Sequence, residues 1–129
     1  MKGYITNIEK AALDNNDYRR VLYTAKHSQL VLMSLAPGEE IGEEVHELDQ
    51  FIRIEAGQGL AILDGVKHDL ADGSALVIAT GIRHNIVNIS DNETLKLYSL
   101  YSPPEHKDGT VHHTKTEAQE EHFDGQTSE

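Results

Sequence analysis

From Tyr18 to Tyr101 this chain alternates short apolar runs with turn residues. The runs are Val21-Leu22-Tyr23, Leu30 to Ala36, Phe51 to Ala56, Leu60 to Leu63, Ala75 to Ala79, His84 to Ile89 and Leu95 to Tyr101. Between them stand Lys26-His27-Ser28, Pro37-Gly38, Gly57-Gln58-Gly59, Asp64-Gly65, Asp72-Gly73, Thr80-Gly81 and Ser90-Asp91-Asn92. Many short strands at regular spacing, with no helix between them, predict an all-β antiparallel sandwich or barrel. Asp64-Gly65 predicts a tight hairpin, because both residues tolerate the positive φ angles of a type I′ turn. Before the β region, Asn7 is placed to cap a short helix over Ile8 to Leu13, ended by Asp14-Asn15-Asn16. After Pro103-Pro104 the chain turns polar, with one or two helical turns expected between Thr116 and Glu121.

At 129 residues the chain suits one domain with one core. The expected division is an N-terminal extension over 1–20, a barrel over 21–104 and an acidic, histidine-containing tail over 105–129. Several strands are apolar on both faces, such as Leu30-Val31-Leu32-Met33 and Ala75-Leu76-Val77-Ile78. Something must cover their outer side, and a homodimer is the expected answer.

Composition excludes several chemistries. There is no cysteine, which removes disulfides, iron–sulfur clusters and thiol nucleophiles. A net charge of −11 without any Lys/Arg stripe argues against nucleic acid. The tail acids Glu117, Glu120, Glu121, Asp124 and Glu129 read as a solvated end. No apolar stretch is long enough to span a bilayer, and Met1 to Thr6 lacks a signal peptide's apolar core, so a cytoplasmic protein is expected. No P-loop, dinucleotide-binding loop or nucleophile elbow occurs.

Chemistry concentrates in two places. In Glu43-Glu44-Val45-His46-Glu47-Leu48-Asp49-Gln50, Glu44 and His46 are two apart and leave one face of an extended segment. Gln50 and, a hairpin or two later, His84 bring the donor set to two imidazoles, one carboxylate and one amide. Such a set suits a divalent transition metal (Zn, Mn, Fe, Co or Ni) and does not choose among them. Glu43, Glu47 and Asp49 point the other way on strand parity, with Asp49 the one that a loop could turn inward in place of Gln50. In the last strand an outward Lys96 sends Leu97, Ser99 and Tyr101 inward. Arg53 and Arg83 read as exposed or salt-bridged, and His27, His68, His106, His112, His113 and His122 as surface residues.

These residues resemble the two motifs of the cupin superfamily. The first, G-x5-H-x-H-x3/4-E-x6-G, is matched by Gly38, Glu44, His46, Gln50 and Gly57. The second, G-x5-P-x-G-x2-H-x3-N, is matched by Gly73, Ala79, Gly81, His84 and Asn88. The spacing agrees throughout, while Glu44 replaces the usual first histidine, Gln50 the usual glutamate and Ala79 the proline. A cupin 2-like double-stranded β-helix, jelly-roll-like in build, is what the resemblance implies, with Glu44, His46, Gln50 and His84 as metal ligands. Phosphomannose-isomerase-type cupins are similar in ligand type alone. The expected function is a metal-dependent enzyme acting on a small polar metabolite: an isomerase on a sugar or hydroxy-carbonyl compound, with Glu44 and Tyr101 as catalytic groups. A non-catalytic ligand-binding module and an Fe(II) dioxygenase are the alternatives.

Overall fold

The computed structural model describes residues 2–119 and 121–129; Met1 and the tail's Glu120 lie outside the described residues. Nine strands run in chain order: β1 (Arg19–Thr24), β2 (Gln29–Leu35), β3 (Asp49–Ala56), β4 (Gly59–Leu63), β5 (Val66–Leu70), β6 (Ala75–Ile78), β7 (His84–Asn88), β8 (Leu95–Ser102) and β9 (Val111–His112). They form a six-stranded sheet ordered β6-β3-β8-β2-β1-β9 and a three-stranded sheet ordered β5-β4-β7. Every pairing is antiparallel. Val31, Met33, Leu35, Ile52, Ile54, Leu95 and Leu97 from the large sheet pack with Ala61, Leu70 and Ile86 from the small one in a single core. Within the barrel, β5 is a strand that apolarity does not mark. Four of its five residues are exposed, and it forms because the Asp64-Gly65 turn (φ 48° and 83°) folds it onto β4, pairing Val66 with Leu63.

The small sheet is extended by a segment that is not a strand. Residues 39–44 run beside β7: Ile41 N–H donates to Ile86 O, Asn88 N–H to Glu39 O, and Glu44 and His84 exchange both backbone hydrogen bonds at 2.8 and 2.9 Å. Asn88 locks this ribbon to its surroundings. Its buried Nδ2 donates to the carbonyls of Leu35, Ala36 and Glu93, while its Oδ1 accepts from Ser90 N–H. Gly57, at φ 94°, passes so close to β8 that an added Cβ would lie 2.6 Å from Thr94 O. That accounts physically for the motif glycine.

The helix capped by Asn7 is present as α1 (Ile8–Asp14), with Asn7 Oδ1 accepting from Lys10 N–H. It packs on β2, β3 and β8, so Leu32 on the outward face of β2 is only 2% exposed. The cover expected from a partner subunit is here supplied within the chain. Lys96 points outward as expected, with Leu97, Ser99 and Tyr101 buried, but its ammonium is not left to water alone. Its Nζ donates to Leu13 O, Asn15 O and Asn16 Oδ1, placing a cation on the helix's terminal carbonyls. On β6 the outer face remains open, and Val77 is 69% exposed.

The largest departure from expectation is the tail. It returns to the barrel, adds β9 beside β1 and ends with Ser128 bonded to Thr24. Among its described residues the helical turn is a 3₁₀ turn at Lys115–Glu117. Gln29 explains the return: its buried amide donates to Thr24 Oγ1 and His106 O and accepts from the N–H groups of Glu105 and His106. Lys115 adds a bond to Glu40 O. A polar segment orders here because its backbone finds partners, not because it buries apolar surface. His112 is consequently buried at 8% exposure and His106 half-buried, against the surface placement expected of both; His113 and His122 are exposed.

Replacing Asn88 with Ala should leave the buried Leu35 carbonyl and the part-buried carbonyls of Ala36 and Glu93 without their donor. The expected cost is about 3 kcal/mol, or roughly 10 °C in Tm. Thermal unfolding followed by circular dichroism checks it, and a change under 2 °C would contradict this role.

Candidate metal centre

The ligand-bearing elements meet at one end of the barrel. Backbone pairing sets Glu44 opposite His84, so their side chains leave the same face. His46 follows two residues later in a loop, with its carbonyl held by Gly81 N–H and Thr80 Oγ1. One donor atom each from Glu44, His46 and His84 lie within 4.8 Å of one another. Glu44 Oε2 stands 2.6 Å from His46 Nε2. His84 Nδ1 bonds the carbonyl of Ile82 at 2.9 Å, which makes Nδ1 the protonated nitrogen and leaves a lone pair on Nε2. A backbone acceptor behind an imidazole is the usual support of a metal-ligating histidine.

Gln50 begins the buried part of β3, 3% exposed, and its Nε2 donates to Ser99 Oγ at 3.1 Å. Its Oε1 is buried without a hydrogen-bond partner among the described residues, as is His46 Nδ1. An orphaned amide oxygen at the base of a carboxylate and two imidazoles is the group a cation would satisfy. Of the alternatives left open by the spacing, Asp49 is turned outward, its Oδ1 accepting from Thr80 N–H. Glu43 and Glu47 are exposed as expected; Arg83 pairs with Glu43, and Arg53 with Glu55. Tyr101 is buried beside the site, 6.1 Å ring to ring from His46.

The electrostatics favour an ionised Glu44. Burial alone would raise its carboxyl, but the hydrogen bond and charge of His46, with His84 and Arg19 adding, hold it below the usual carboxylate range. For His46 burial favours the neutral ring, yet Glu44 outweighs it and raises the imidazole. Burial also raises the Tyr101 phenol, which stays protonated. His106, packed edge-on to Tyr101 at 5.2 Å, is pushed down to about 3 by burial and then by Arg19, and so remains neutral.

Outside the ligand cluster opens a cavity of about 640 Å³, reaching Glu44 and His46 and walled by Tyr18, Arg19, His106 and Lys115. Sequence reasoning missed Tyr18, Arg19, His106 and His112. None stands at a motif spacing, and only the Tyr18-Arg19 pair at the start of a strand and the clustering of histidines in the tail hint at them.

This architecture identifies the family. Residues 31–101 match the Cupin domain family. The chain is a cupin. The uncharacterized protein YrkC of Bacillus subtilis is 46% identical over 124 residues, covering 91% of this cupin and 66% of YrkC, just under two thirds of its length. The uncharacterized protein L612 of Acanthamoeba polyphaga mimivirus is 45% identical over 112 residues, covering 84% of this chain and 70% of its own. The crystal structure of BH2720 from Bacillus halodurans superposes with a TM-score of 0.87 at 41% identity, covering 90% of this chain and 92% of that one.

A raised His46 sets the sign of the pH effect. The ring must lose its proton to ligate, so metal affinity should fall about tenfold per pH unit below its folded pKa, which lies above 6.5. Metal-competition titrations between pH 5.5 and 8.5 measure this. A flat profile would exclude His46 as a ligand.

Proposed function

We propose that this cupin binds a divalent transition metal through Glu44, His46, His84 and Gln50, and acts as a metal-dependent enzyme on a small polar metabolite. The observation that carries the reading is the convergence of three ligand atoms within 4.8 Å beside the buried Gln50 oxygen, next to a cavity that reaches Glu44 and His46. Two imidazoles, one carboxylate and one amide leave a divalent ion with residual positive charge and open positions. When bound, such an ion polarises a carbonyl or hydroxyl oxygen as a Lewis acid. Isomerisation of a hydroxy-carbonyl compound needs little more than this and a pair of proton-handling groups.

Glu44 and Tyr101 fill those roles. Glu44 is ionised and half-buried, able to accept a proton from a substrate carbon or hydroxyl. Tyr101 keeps its proton and can donate a hydrogen bond to a developing oxyanion. The aliphatic wall of Ile52, Ile54 and Ile86 excludes water from behind the ligands. Glu44 at the usual histidine station offsets the neutral glutamine at the usual glutamate station, so the set keeps one negative charge, and the amide oxygen is its weakest ligand.

Elemental analysis of untagged protein should find a transition metal near one per chain in the wild type and at least tenfold less in His46→Ala and His84→Ala. Equal content in all three would remove the assignment. Turnover of aldoses, ketoses and uronates by the metal-loaded protein should then fall about a hundredfold in Tyr101→Phe. No turnover in any metal form would leave a ligand-binding module.

We also propose that the cupin pairs with a second copy through the outer face of β6, β3 and β8. There Val77 (69% exposed) and Leu100 (39% exposed) flank Phe51 in register. Light scattering should show a dimer that Val77→Glu converts to monomer; a monomeric wild type would refute it.

A further inference from the structure

Arg19 is a charged residue for which the ligand cluster and the barrel core give no use. It points inward from β1 into the cavity that reaches Glu44 and His46, and it is only 8% exposed. Buried guanidinium groups are costly unless paired with an anion. The other buried or half-buried arginines obey this: Arg20 pairs with Asp17 and Arg53 with Glu55. Arg19 has no carboxylate within ion-pair distance among the described residues. Its Nη1 meets His112 Nδ1 at 3.3 Å, its Cζ lies 5.2 Å from the Tyr18 ring centre, and its Nε is buried with no hydrogen-bond partner among the described residues.

We infer that Arg19 is the anchor for a substrate carboxylate, so that the cavity takes a small hydroxy- or keto-carboxylate whose oxygen-bearing end faces Glu44 and His46. This deepens the metal-enzyme reading and rests on it only for the far end of the ligand. A guanidinium presents paired N–H donors in a planar fork that matches the two oxygens of a carboxylate. His112, kept neutral by burial and by Arg19 itself, accepts one N–H and fixes the rotation of the fork. Tyr18 stacks on the cation and limits its travel. The orphaned Nε donor is then the one a ligand completes. A cavity of about 640 Å³ accommodates a molecule the size of a uronate.

The surrounding acids do not contradict this. Glu43, Glu47 and Glu121 on the cavity wall are exposed, where water and salt screen them; Glu44 is matched by His46, and the half-buried Glu105 is bonded to His122 at 3.1 Å. Their field slows the approach of an anion more than it weakens the seated one. Structural compensation of Glu44 alone would account for the charge of Arg19 but not for an arginine held off at more than ion-pair distance with an unused donor.

The test is calorimetric binding to the metal-loaded protein of two matched pairs, D-glucuronate against D-glucose and L-lactate against L-lactamide. Wild type, Arg19→Lys and Arg19→Met are compared, with metal content measured on the same samples. The wild type should favour the carboxylate of at least one pair by about tenfold or more. Arg19→Met should erase that preference while leaving the neutral partner within twofold and metal content unchanged, and Arg19→Lys should retain part of it. If circular dichroism shows Arg19→Met unfolded, Arg19→Gln replaces it with the same expected loss. No carboxylate preference in the wild type, or an undiminished one in the uncharged variant, overturns the inference. The metal reading fails separately: a preparation without bound metal that still discriminates through Arg19 removes the metal and keeps the anchor.

Discussion

The two backbone hydrogen bonds exchanged by Glu44 and His84 are the constraint on which the candidate site depends. They pin an otherwise irregular ribbon to the edge of the small sheet, and they do so at the one register that points both side chains into the barrel. A slip of one residue would present Glu43 or Val45 instead and send the carboxylate to solvent. Because the contact is between main-chain atoms, it tolerates exchange of histidine for glutamate at position 44. The family's usual donor can change here without any change in the path of the chain.

Strands and site residues were legible for different reasons. The core strands announce themselves through apolar runs between turn residues, and the hairpin through Asp64-Gly65. The cluster was legible because Glu44, His46, Gln50 and His84 sit at spacings that two motifs share, and spacing along a regular ribbon translates directly into direction. Beyond the ribbon that translation stops. Arg19 and His106 reach the cavity, and His112 backs Arg19, through contacts separated by up to 93 residues, as in the Arg19–His112 bond. No periodicity encodes such a contact. The same limit applies to β5, whose exposed Val66 to Asp69 follow from a turn rather than from burial.

The tail and α1 show how polar atoms carry structure that hydrophobicity does not foretell. Gln29 looks like an ordinary turn-flanking residue, yet one donor and two acceptor contacts bind the returning chain while its other donor contact ties it to Thr24. Lys96 looks like a solvent-facing lysine and instead finishes a helix. Gln29 works by satisfying groups that would otherwise be buried bare, which avoids a penalty of the order of 1–3 kcal/mol per group, and Lys96 by capping the helix's last carbonyls. The apolar β2 strand could be read as an interface because the helix that covers it is held by such contacts.

The Asn88 side chain gives the centre one more property. By tying the end of β2 to β7 and to the start of β8, it holds the scaffold of both Glu44 and His84 through backbone atoms alone. The donor cradle is therefore assembled by the barrel itself, unlike a zinc finger whose chain collapses only around its ion. With a cation seated there, exchanging it for another would ask nothing of the surrounding architecture, and reactivity would be retuned by the choice of ion while the vessel stays as it is.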